Sequence, residues 1–140
     1  MVATVPVEAG SVADIGAGDG QVSLALGRRG VRVIATERGS GAFARLPRSL
    51  ERRLGDGFSV LRPGEVEGAV VAGMGGRSIA GMLAGQPPVA RSLRWLVLQP
   101  QQQAGLLEAW LADSGYKLRS SQDVAERARS YRVLLVEPGS

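Results

Sequence analysis

The chain contains no cysteine and no histidine. The first absence excludes disulfides, thiolate catalysis and cysteine-bound zinc. The second excludes an imidazole base, a histidine-ligated metal and a Ser-His-Asp triad. Chemistry must therefore run on carboxylates, backbone dipoles, arginines or a cofactor, and no metal is expected. No apolar run approaches the length that spans a bilayer, and Met1 to Gly10 shows no basic stretch followed by an apolar core. A cytoplasmic protein with no membrane partner is the resulting expectation. Lysine is nearly absent as well: sixteen of the seventeen basic residues are arginine, against thirteen acidic residues and a net charge of +4. The planar guanidinium suits phosphate and stacks on bases, which is compatible with a nucleic-acid partner, although coding bias produces the same composition.

With 140 residues, 44% of them hydrophobic and 21% charged, the chain reads as a single globular domain over residues 1–140. Its organising stretch is Asp14-Ile-Gly-Ala-Gly-Asp-Gly20, in which an acid precedes three glycines on alternate positions. Val12 to Ile15 is apolar and β-prone, and Gln21 to Arg28 has helical character, so the glycines fall at a strand-to-helix corner. Val31 to Thr36 predicts a second buried strand ending in Glu37. From Ser40 to Leu54, apolar residues recur at helical spacing but Pro47 interrupts them, which predicts a short helix from Ser49 or a broken one. Leu54-Gly-Asp-Gly57 is a turn signal. Glu67 to Ala72 predicts a strand broken by Gly73-Met-Gly-Gly76, and Arg77 to Ala84 a helix ended by Gln86-Pro-Pro88. Leu93 to Gln99 predicts a strand stopped by Pro100. Gln103 to Ser114 is the clearest helix, with Leu106, Leu107, Trp110 and Leu111 on one stripe. Tyr116 to Val124 and Ser130 to Glu137 read as strands with no helix between them.

This alternation predicts an α/β fold: a doubly wound, mostly parallel, Rossmann-like sheet with a closing antiparallel hairpin. In such sheets ligands sit beyond the carboxyl ends of the strands. Gly16 to Gly20, Glu37, Asp56-Gly57, Gly73 to Gly76 and Gln99-Pro100 all fall there. Glu37 suits the two hydroxyls of a ribose, Asp56 the exocyclic amine of an adenine, and the Gly57 amide its ring. Glycines such as Gly16, Gly18, Gly73 and Gly75 allow close backbone approach to a ligand. Both a dinucleotide and S-adenosylmethionine fit that description. The spacing G-x-G-x-G, rather than G-x-G-x-x-G, leans towards the second. Asp14 would then meet the amino end of its methionine moiety.

Val12-Ala-Asp-Ile-Gly16, Leu54-Gly-Asp-Gly57, Val71-Ala-Gly-Met-Gly-Gly76, Leu96-Val-Leu-Gln-Pro100 and Tyr131-Arg-Val-Leu-Leu-Val136 together resemble the bacterial tRNA N1-adenine methyltransferases of the TrmK type. The similarity covers nearly the whole chain and corresponds to that family's catalytic domain, without its C-terminal helical extension. The resemblance implies a class I methyltransferase fold, S-adenosylmethionine as methyl donor and tRNA as substrate. Where the family usually carries D-H-A-Y, this chain has Asp19-Gly20-Gln21-Val22. Because the N1 lone pair of adenine is free, methylation there removes no proton from the attacking atom. Asp19 and the Gly73 carbonyl are then candidate acceptors around the cationic product, Met74 and Tyr131 candidate base-packing residues, Arg77 a candidate phosphate contact and Gln99 a candidate substrate contact. The alternatives left open are an S-adenosylmethionine-binding protein without catalysis, and a methyltransferase for another RNA or a small molecule.

Overall fold

The computed structural model describes residues 1–126 and 128–139. Seven strands form one sheet in the order β3-β2-β1-β4-β5-β7-β6. They are β1 (Ser11–Ile15), β2 (Arg32–Glu37), β3 (Glu51–Leu54), β4 (Gly68–Met74), β5 (Trp95–Pro100), β6 (Lys117–Glu126) and β7 (Arg129–Glu137). The first five pair in parallel, and β7 inserts antiparallel between β5 and β6. The helices are α1 (Gln21–Arg28), α2 (Ser40–Arg45), α3 (Gly76–Gly85), α4 (Pro87–Ser92) and α5 (Ala104–Asp113).

The central strands read as unbroken apolar runs because both faces are covered. Ala13, Ile15, Val71 and Leu98 face a core completed by Ile79 and Leu83 of α3 and Leu107 of α5. Val12, Val70 and Val97 face the opposite way, onto Leu26 of α1. Gly76 lets α3 start against the N-terminus of α5: a Cβ there would lie 2.2 Å from the Gln103 carbonyl oxygen.

Between β2 and β3 the chain takes the broken form and not a helix from Ser49. Helix α2 ends at Arg45, and Glu51–Leu54 is an edge strand, level with Ile34 to Glu37 of β2. Pro47 cannot donate into a continuing helix. Arg52 closes the break by donating to the carbonyls of Phe43 and Leu46 at 3.2 and 3.1 Å, with its guanidinium 4.6 Å from the Phe43 ring centroid. Pro87 likewise does more than end a helix, since it opens α4 at the N-terminal position that tolerates proline. Leu106 was expected on the buried stripe of α5 but is 38% exposed, whereas Leu107 and Leu111 are buried.

Candidate functional site

The carboxyl ends of β1, β2, β3 and β4 surround a cavity of about 890 Å³. Its lining brings together seven of the residues singled out from the sequence: Gly16, Gly18, Glu37, Asp56, Gly57, Gly73 and Met74. Backbone bonds tie these corners to one another. The Ala17 amide donates to the Thr36 carbonyl at 3.0 Å, and the Gly55 amide to the Glu37 carbonyl at 2.8 Å. The Gly18 amide donates to Glu37 Oε1 at 2.7 Å. One carboxylate oxygen of Glu37 thus holds the glycine loop while the residue still faces the cavity. Gly18 has φ +61° and open space where a Cβ would stand, a conformation that favours glycine.

Asp14 is held by the helix that follows the glycine corner. It does not line the cavity, is 3% exposed, and accepts a hydrogen bond from Ser23 Oγ of α1 at 2.6 Å. Burial pushes its carboxyl up to about 6, Ser23 opposes that rise, and the neighbouring Glu37 adds to it. Asp19 is exposed, with Oδ1 3.2 Å from the Gln21 amide, at the start of α1. Gly75 makes room for Gln102, whose Cγ would be 3.2 Å from an added Cβ. Arg77 is exposed at the start of α3, and Gln99 is half-buried in β5 opposite Ala72. Tyr131 stands in β7 opposite Val124. None of these six lines the cavity.

Several lining residues escaped the sequence reading: Arg38, Ser59, Ser78, Met82 and Gln86. Ser78 and Met82 are one turn apart on α3, so they share a face. That spacing was the available signal, but an apolar Met82 in a helix with Ile79 and Leu83 has the same pattern as a core residue. In the fold it backs the third corner: a Cβ on Gly57 (φ +56°) would come 3.0 Å from the Met82 sulfur. Among the described residues, no cluster of carboxylates is arranged to hold a metal, and no helix is long and apolar enough to cross a membrane.

A glycine corner after β1, an acid ending β2, and an antiparallel β7 inserted beside β5 define the class I methyltransferase fold. The chain belongs to the methyltransferase domain family, whose profile matches residues 1–134. Over 116 residues it is 34% identical to the tRNA (adenine(22)-N(1))-methyltransferase of Bacillus subtilis, a match covering 76% of this chain and 48% of that protein. The chain therefore spans about half the length of the curated relative it matches. The crystal structure of the B. subtilis enzyme superposes with a TM-score of 0.88 at 31% identity, covering 99% of this chain and 64% of that one. Streptococcus pneumoniae Sp1610, crystallised in complex with S-adenosyl-L-methionine, superposes with a TM-score of 0.90 at 27% identity, covering 99% and 71%.

Proposed function

We propose that this domain binds S-adenosylmethionine and methylates N1 of an adenine in tRNA, at position 22 as its relatives' names state, in the cytoplasm. The observation that carries the reading is the convergence of four strand ends on one cavity. Its volume is in the range of nucleotide-sized ligands, and the carboxylates Glu37 and Asp56 are on its wall. Glu37 would accept from the ribose hydroxyls, Asp56 from the exocyclic amine, and the Gly57 amide would donate to the ring. The backbone at Gly16, Gly18 and Gly73 would border the remainder; Gly73 has φ +78° and open space on its Cβ side. Asp14 and Gly75 would act from behind, Asp14 by fixing β1 to α1 and Gly75 by admitting Gln102.

When bound, the donor supplies an electrophilic methyl group on a sulfonium. The protein's own task is positioning, because N1 attacks through a free lone pair and no side chain has to remove a proton. Correct alignment of two reactants is worth up to about 7–11 kcal/mol. Met74, on the cavity wall, would pack against the adenine, while Arg77 would meet a phosphate and Gln99 a polar edge of the substrate. Asp19 and the Gly73 carbonyl would stabilise the cationic product.

Incubation with labelled donor and unmodified tRNA, followed by digestion to nucleosides, should yield 1-methyladenosine. Donor binding without any methylated nucleoside would overturn the enzymatic reading and leave a cofactor-binding domain.

A further inference from the structure

The β6-β7 hairpin reaches past the sheet. Leu98 of β5 opposes Leu134, and β5 ends two residues later, so Tyr131 and Arg129 lie beyond it at the carboxyl edge. The two faces of this overhang differ. On the face of Leu134, Arg132 ion-pairs with Glu108 of α5 at 3.2 Å and with Asp123 at 3.4 Å, and Ser121 also donates to Glu108. That face is anchored. On the face of Val133, Tyr131 opposes Val124, and the Arg129 guanidinium stands 5.8 Å from the Tyr131 ring centroid. Arg129 is exposed. An aromatic ring beside an exposed guanidinium, on a backbone pinned from behind, is a stacking platform for a nucleobase with a phosphate contact attached.

The sheet order puts β4 and β5 between β1 and β7. Three strand spacings of about 4.8 Å place this platform roughly 14 Å from the glycine corner. Met74 of β4, on which the target base would pack, is two spacings from β7, roughly 10 Å, an offset that suits a neighbouring nucleotide. We propose that the overhanging hairpin is an RNA-docking arm, with Tyr131 and Arg129 holding a single-stranded nucleotide that flanks the target base. This inference rests on the RNA reading above.

The test is fluorescence anisotropy with a labelled, unmodified tRNA transcript at several salt concentrations, with S-adenosylmethionine binding measured in parallel by calorimetry. Tyr131→Leu should weaken RNA binding roughly tenfold, and Tyr131→Phe should restore it. Arg129→Ala should reduce the slope of log affinity against log salt by about 0.7. Donor binding should not change in any variant. Wild-type-like RNA affinity and salt slope in both Tyr131→Leu and Arg129→Ala would overturn the arm and leave the RNA reading standing. A wild-type chain with no salt-sensitive RNA affinity would overturn both. Should Tyr131→Leu also lose donor binding, it reports folding, and the exposed Arg129 variant decides.

Discussion

Ser23 of α1 donates a 2.6 Å hydrogen bond to the carboxylate of Asp14 on β1, and both residues are buried at the foot of the glycine corner. The bond pins the helix that follows the corner to the strand that precedes it. It sets the loop without touching the cavity.

That placement has a pH signature. Asp14 titrates at about 6 in the fold against an ordinary value of 3.8, so between those limits the folded chain holds a proton that the unfolded chain has released. Stability contributed by this group is therefore full below about pH 4 and declines as pH rises to about 6, by about 3 kcal/mol. Asp14→Asn keeps an acceptor for Ser23 and cannot ionise. Urea denaturation of the two proteins from pH 4 to 7 should show the variant gaining on the wild type as pH rises.

Glu65 behaves in the opposite sense. Arg53 donates to its Oε1 at 2.8 Å, and the Arg62 amide does so at 3.0 Å, which holds its carboxyl down at about 2. Its contribution is present above about pH 4.5 and is lost as pH falls towards 2. With solvent screening allowed for, Glu65→Gln should cost about 1–2 kcal/mol at pH 7 and little near pH 2. Paired urea melts at the two pH values measure this.

Glu37 carries two duties, so Glu37→Ala should free the Gly18 amide and remove the ribose acceptor together. A loss of tenfold or more in S-adenosylmethionine affinity is expected by calorimetry, with Glu37→Gln intermediate. Unchanged affinity in the alanine variant would remove Glu37 from the site.

Gly57→Ala asks for a side chain at φ +56° and against the Met82 sulfur. Donor affinity should fall more than stability, which drops about 1–2 kcal/mol. Gly76→Ala, whose Cβ meets the Gln103 carbonyl, should instead cost about 2–4 kcal/mol in denaturant and act on the whole fold.

Much of this fold is local. Val12 to Ile15, Gln21 to Arg28 and the helix beginning near Gln103 announce themselves through apolar period and glycine punctuation, and the structure keeps their bounds within a residue or two. Strand β3 was hidden because Glu51-Arg-Arg-Leu54 has neither alternation nor an apolar run. Its backbone becomes a strand through pairing with β2, and its arginines are useful through partners at Phe43 and Glu65.

The site divides in the same way. Glycines and carboxylates at strand ends are visible along the chain because local backbone freedom and local charge select them, and six of them meet at the cavity. Which way a side chain points depends on the element packed over it. Asp14 faces Ser23 because α1 covers that side of β1, Met82 backs Gly57 because α3 crosses the turn after β3, and Tyr131 overhangs the sheet because β7 enters antiparallel beside β5. Contacts between distant segments settle these three placements, which residue type and spacing alone do not decide.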